Sequence, residues 1–156
     1  MLGDVYKRQV IALKKNTENS YVLLKTLVRD RLAEVDDLIK YKLSSEVNLI
    51  DKMVKYHIKS GGKRIRPLLT LGSSKLCGYV EGKRDINLAA CVELIHSATL
   101  LHDDVIDKGE IRRGVKTSNS IWGNQSSILV GDYLLSRCFE MMVEDKSIEI
   151  LKLLSS

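Results

Sequence analysis

Apolar residues recur at intervals of three and four along most of this chain, and a single proline, Pro67, interrupts it. That spacing is the signature of amphipathic helices. From Tyr21 to Tyr41, Leu24, Val28, Leu32, Val35 and Ile39 form one stripe, with Arg29, Arg31, Glu34 and Asp37 elsewhere. A second helix is predicted from Glu46 to Lys59, with Val47, Ile50, Val54 and His57 or Ile58 inward, stopped by Ser60-Gly61-Gly62. Pro67 suits the first turn of a third, running through Leu68, Leu69, Leu71 and Leu76 to Gly78. A long helix should open with Asp85 or Asn87 as its N-cap and run to about Asp107. Gly109 and Gly114 mark a polar loop. Helical spacing returns from Thr117 and through Leu129 to Met142, and Ser147 to Leu154 is again apolar. No segment reads as a strand, and 5% aromatics argue against an all-β architecture, so the expected class is all-α.

The 156 residues, 44% hydrophobic and 29% charged, suit one globular domain. No run of about 18 uninterrupted apolar residues exists, so a membrane span is excluded. Lys7, Arg8, Lys14 and Lys15 bracket too short an apolar run for a secretory signal, and a cytoplasmic location is expected. Residues 1–9, MLGDVYKRQ, lack helical periodicity and are expected to be a leader foreign to the fold, leaving 10–156 as the domain. Cys77, Cys91 and Cys138 are widely separated, which predicts buried reduced thiols rather than a zinc site or disulfide framework. The net charge of +5 is concentrated between residues 61 and 84, where Lys63, Arg64, Arg66, Lys75, Lys83 and Arg84 face only Glu81. No aromatic platform or zinc motif accompanies them, so a small phosphorylated ligand is expected rather than nucleic acid.

The chemistry concentrates in HSATLLHDDVID, residues 96–107. At about 100° per residue, Asp107 lies about 40° around the helix from Asp103, and His96 about 20° from it. Two carboxylates four residues apart repel each other, and acids near a helix C-terminus oppose the macrodipole. A divalent cation between them reverses both penalties, and hard oxygen ligands suit Mg2+. A solvated acidic helix end is the alternative. Gly61-Gly-Lys-Arg-Ile-Arg-Pro67 adds backbone room, cationic Lys63 and Arg66, and a following helix start, all suited to phosphate. Arg112-Arg113 supply further clamps just beyond the aspartates.

GGKRIRP, HSATLLHDDVIDKGEIRRG and the GDYLL segment at 131–135 together resemble the trans-type polyprenyl diphosphate synthases, from about residue 20 onward. The resemblance implies an all-α bundle of the isoprenoid synthase type around a deep cavity, usually a homodimer. It also implies the Mg2+-dependent joining of isopentenyl diphosphate to an allylic diphosphate. Carried over residue by residue, Asp103 and Asp107 would ligate Mg2+ on the allylic diphosphate, with Asp104 supporting them and Arg112 contacting that diphosphate. Lys63, Arg66, His96 and Arg113 would hold isopentenyl diphosphate. An allylic cation would form as diphosphate departs, the isopentenyl double bond would attack it, and a proton would leave to diphosphate. Small Ala98 and Thr99, one turn before Asp103, stand where bulky aromatics shorten products in the family, and so imply a long-chain product of quinone side-chain size.

The family carries a second aspartate-rich motif more than a hundred residues after the first, and this sequence ends before it; DKSIE at 145–149 is no substitute. The resemblance therefore covers the N-terminal half of a synthase, whose turnover alone is expected to be negligible. Two other functions fit less of the sequence. A non-catalytic small subunit that modulates a partner prenyltransferase would be expected to lose the first aspartate motif. An HD-type metal phosphohydrolase would use His57, His102-Asp103 and Asp132, but leaves GGKRIRP and Arg112-Arg113 without a role.

Overall fold

The stripe that begins at Tyr21 is broken at Val28. In the computed structural model, which describes residues 19–59 and 62–155, residues 19–27 form helix α1 and Arg29–Lys42 form α2. Val28 turns between them, with φ of −118° and its side chain buried. Leu32, Val35 and Ile39 continue inward as the spacing predicts. The leader predicted at residues 1–9 lies outside the described residues.

Helix α3, Asn48–Lys59, starts two residues later than predicted. Val47 falls outside it and is exposed, while Met53 is fully enclosed and takes the inward place beside Val54. Helix α4, Ile65–Leu76, carries Pro67 in its first turn, where a missing N–H removes no helical bond. The long helix α5 spans Arg84–Ile106, about 35 Å at 1.5 Å per residue. Its N-cap is Lys83 rather than Asp85 or Asn87. Asp85 is buried instead, and Arg31 of α2 donates to it at 2.9 Å.

The polar loop after α5 holds two strands that the periodicity does not show. Ile111–Arg112 (β1) and Val115–Lys116 (β2) pair antiparallel around the two-residue turn Arg113-Gly114. Both turn residues have positive φ, 53° and 80°, as a tight hairpin requires. Two-residue strands are too short to display alternation, and Arg-Gly is not a usual hairpin signal. Helix α6 (Ser118–Trp122), α7 (Asn124–Glu144) and α8 (Ile148–Leu154) complete the described chain. The Ser147 hydroxyl caps α8 by accepting from Ile150 N–H at 3.3 Å.

Helix α5 is the axis of the bundle, packed against α2, α4 and α7. Its contact with α7 is close because small or indented residues face each other. Ser127 Oγ donates to Leu101 O at 2.9 Å in the fully buried interior. Cys138 Sγ lies 3.5 Å from Cys91 O, both residues buried and free. Cys77 departs from the expectation of burial: it is the C-cap of α4 and is exposed. No helix of the described residues is long and apolar enough to cross a membrane.

Gly131 of the GDYLL segment is the third point of close approach. A Cβ there would strike the imidazole of His102, whose Nε2 lies 3.2 Å from Ile128 O. Replacing Gly131 by Ala should gain about 1 kcal/mol of helix propensity. Displacing a packed ring should cost about 1–3 kcal/mol, so a net loss is expected. Thermal unfolding of Gly131→Ala should show a midpoint lowered by a few degrees.

Candidate functional site

The last turns of α5 hold three carboxylates that the fold treats differently. Asp103 and Asp107 are exposed, one turn apart, with Asp107 N–H donating to Asp103 O at 2.8 Å. Asp104, about 100° around the helix from Asp103, is buried against the hairpin. Arg112 grips it with the Nε–Nη2 edge of its guanidinium: Nε donates to Oδ1 at 2.9 Å and Oδ2 at 3.2 Å, and Nη2 to Oδ1 at 2.7 Å. Asp104 therefore holds Arg112 above its ordinary pKa, with Asp103 and Asp107 adding weaker attraction.

The hairpin is tied down around that pair. Asn119 Nδ2 donates to Asp104 O and to Gly109 O, both at 3.1 Å, and Thr117 Oγ1 donates to Gly109 O at 2.7 Å. Tyr56 of α3 reaches across to donate to Lys116 O at 2.6 Å and meets the Trp122 ring edge-on at 5.1 Å. Asp103 and Asp107 are left as a pair of oxygen donors on one exposed face. Among the described residues no group of three His, Cys, Asp or Glu side chains is arranged to hold a metal ion. Two carboxylates fit a hard divalent cation that keeps water and takes its remaining ligands from phosphate oxygens.

Lys63, Arg66, His96 and Arg113 come together around one open groove of about 510 Å3, which Gly62, Arg64, Ile65 and Glu93 also line. Lys63 and Arg66 bracket the start of α4, His96 stands two turns before the aspartates on α5, and Arg113 projects from the hairpin turn. The glycine has a definite purpose. A Cβ on Gly62 would lie 2.7 Å from Arg113 Nη1, so the bare backbone makes room for the guanidinium. Burial first, then the charge of Arg66, lowers the pKa of His96, which keeps the imidazole neutral at pH 7. Neutral, it can donate from one ring nitrogen while adding no charge to an already cationic wall.

Arg64 belongs to this wall, and His57 lies in the adjoining pocket beside it. Arg64, the N-cap of α4, has φ of 50° in the left-handed region, and its Nη1 lies 2.6 Å from Glu93 Oε1. His57, inward on α3, has its pKa lowered to about 4 by burial first and then by Arg64. Sequence places His57 on the inward stripe and Arg64 in the basic motif, but it does not show what either one pairs with. Glu93 looks like any acid on a helix, and the paired state of Arg64 depends on where α2 and α5 come to lie.

Ala98 and Thr99 are placed differently. Ala98 is fully enclosed in the core. Thr99 lines an open groove of about 530 Å3 with Arg66, Leu69, Ile95 and Leu153 among its walls. Its hydroxyl donates back to His96 O at 2.8 Å and so needs no partner in the groove. His102 turns toward α7, with Asp132 Oδ1 3.5 Å from its Nε2, rather than joining the Asp103 face.

An aspartate face and a cationic groove thus lie on one helical bundle. Residues 47–156 match the family model for polyprenyl synthetase, and the chain belongs to that family. It is 42% identical over 129 residues to octaprenyl diphosphate synthase of Escherichia coli, covering 83% of this chain and 40% of that protein. It is 40% identical over 125 residues to all-trans-nonaprenyl-diphosphate synthase (geranyl-diphosphate specific) of Rhodobacter capsulatus, covering 80% of this chain and 38% of that one. Among solved structures, a polyprenyl synthase from Caulobacter crescentus complexed with calcium and isoprenyl diphosphate superposes with a TM-score of 0.83 at 42% identity, covering 86% and 41% of the two chains. The fold is thus the all-α isoprenoid synthase type, and the chain spans about 40% of the length of these relatives.

Two outcomes follow from this geometry. Gly62→Ala should push the Arg113 guanidinium aside at little expense in stability, because the obstructed atoms end a flexible side chain. Calorimetric titration with inorganic pyrophosphate should show an affinity several-fold weaker, with unfolding nearly unchanged. The second concerns pH. Because the folded-state pKa of His57 is below its unfolded value, the unfolded chain binds the proton first as pH falls. The contribution is present above pH 6.5 and lost progressively toward pH 4, about 3 kcal/mol in all. Urea unfolding across that range should show a shallower loss for His57→Asn than for the unaltered chain.

Proposed function

We propose that these residues form the substrate diphosphate sites of a trans-prenyltransferase. It would condense isopentenyl diphosphate with an allylic diphosphate to give a long-chain trans-polyprenyl diphosphate of quinone side-chain size. The observation that carries this is the meeting of Lys63, Arg66, His96 and Arg113 around one groove on the bundle that also carries the Asp103–Asp107 face. Family membership supports the reaction class, and the names of the Escherichia coli and Rhodobacter capsulatus relatives support a long product. With that activity go two further expectations, a homodimer of the whole protein, as in the family, and a cytoplasmic location.

In this function Asp103 and Asp107 would hold Mg2+, which when bound draws negative charge onto the departing diphosphate. Arg112, anchored on Asp104, brings a fixed positive charge to the same face. Lys63, Arg66 and Arg113 hold the isopentenyl diphosphate, and neutral His96 orients it through a hydrogen bond. Preorganised charge of this kind is the main source of rate acceleration when a leaving group departs as an anion. The groove beside Thr99 is the path offered to a growing apolar tail. The intact aspartate face tells against a non-catalytic subunit. The engagement of His102 by Ile128 and Asp132 tells against a phosphohydrolase that would need it beside Asp103.

The whole protein carrying these residues should incorporate labelled isopentenyl diphosphate onto an allylic primer only when Mg2+ is supplied. Asp103→Asn should lower the rate about a hundredfold or more. No Mg2+-dependent incorporation would refute the proposal. Thr99→Phe should shorten the product without loss of stability. Ala98→Phe must overpack the core at about 1–3 kcal/mol, so any shortening it causes should come with a lower unfolding temperature. A product distribution unmoved by Thr99→Phe would remove the groove from the tail's path.

A further inference from the structure

Arg64 lines the groove between Lys63 and Arg66 but is held differently from either. Lys63 and Arg66 are exposed, whereas only 18% of the Arg64 side chain is accessible. Its guanidinium is shared by two helices. Nη1 lies 2.6 Å from Glu93 Oε1 on α5, and Nε lies 3.2 Å from Asp36 Oδ1 on α2. The Glu93 side chain is itself 9% exposed. Two carboxylates already balance Arg64, leaving it little positive charge to offer an incoming anion.

The backbone at Arg64 gives the pairing its consequence. A non-glycine residue at φ of 50° is strained by the contact of its Cβ with the backbone, and such a conformation persists only where surrounding contacts hold it. Here the holding contacts are the two ion pairs. They act at the point where the chain turns into α4, since Arg64 O accepts from Leu68 N–H at 2.9 Å. Just ahead of the turn, Tyr21 Oη donates to Lys63 O at 3.1 Å. The directions in which Lys63 and Arg66 leave the backbone therefore depend on a left-handed turn clamped between α2 and α5.

We propose that Arg64, through Glu93 and Asp36, is the positioning residue of the cationic groove: it fixes the turn that aims Lys63 and Arg66 without itself binding the ligand. This rests on the reading of the groove as a diphosphate site. Positioning and direct binding predict opposite signs for one substitution. If Arg64 bound the anion directly, neutralising its competitor in Glu93→Gln would free the guanidinium, remove a negative charge beside the groove, and strengthen binding. If Arg64 positions the turn, the same change loosens the clamp and weakens binding despite the more favourable charge.

The test is titration of the full chain with inorganic pyrophosphate, with amide hydrogen exchange of residues 62–68 measured on the same samples. Glu93→Gln should weaken affinity about three- to tenfold. The milder Asp36→Asn, on a more exposed carboxylate, should act in the same direction, and Arg64→Lys should fall between Arg64→Met and the unaltered chain. Exchange of the turn amides should accelerate in Glu93→Gln while that of α5 and α7 stays constant. Unchanged or tighter pyrophosphate binding in Glu93→Gln overturns the proposal. If the unaltered chain does not bind pyrophosphate, the diphosphate reading of the groove fails. The exchange arm still decides whether the clamp holds the turn, and unaltered exchange in Glu93→Gln overturns it.

Discussion

Three carboxylates within five residues at the C-terminal end of a helix repel one another and oppose the helix dipole. The bidentate pairing of Asp104 with Arg112 is what makes this arrangement tenable. It removes one negative charge from the cluster and, with the same contact, fastens the hairpin against α5. Once the hairpin is fixed, Arg113 is carried to the groove, and Thr117 and Asn119 close the loop through Gly109. The cationic groove and the acidic face are thus not independent features. The Asp104–Arg112 pair fixes the hairpin that carries Arg113, so a change at Asp104 would be felt on the groove as well as on the acidic face.

Close approach between helices is the second requirement. α5 carries polar side chains on its outer faces only because its inner face meets α7 through small residues, with Ser127 donating to Leu101 O and Gly131 indented for His102. The indentation turns His102 away from the aspartates. Asp103 and Asp107 are then free to serve as a pair, although His102 is adjacent to Asp103 in sequence.

The helices were legible because their stripes obey one period, and the groove was legible because its four residues sit in dense, unusual motifs. What escaped has physical reasons. Val28 satisfies the apolar stripe whether or not the helix bends there, so the break between α1 and α2 leaves no trace in the pattern. Asp85 has the chemistry of an N-cap, but Arg31 on a neighbouring helix offers it a stronger partner. Val47 fits the stripe of α3 yet lies just beyond its start, and unbranched Met53 fills the space instead. Cys77 follows a helix end rather than lying inside one. The separate fates of Ala98 and Thr99 depend on which neighbour each faces, and adjacent residues on a helix point about 100° apart.

The two arginines in left-handed backbone, Arg64 and Arg113, show how the site trades local strain for placement. At both positions glycine would relieve roughly 1–2 kcal/mol of steric strain, and at the hairpin turn Asn or Gly is the usual choice. An arginine is tolerated where its side chain returns more than that. Arg64 does so by joining the nearly buried Glu93 on α5 to the more exposed Asp36 on α2. Arg113 does so by presenting a guanidinium over Gly62 from a two-residue hairpin turn, where the backbone has little freedom to move it. The strain therefore lies on both sides of the groove, while Lys63, Arg66 and His96 sit on ordinary backbone between them. A loop built of relaxed glycines could carry the same charges, but nothing would hold them in one arrangement before a ligand arrives.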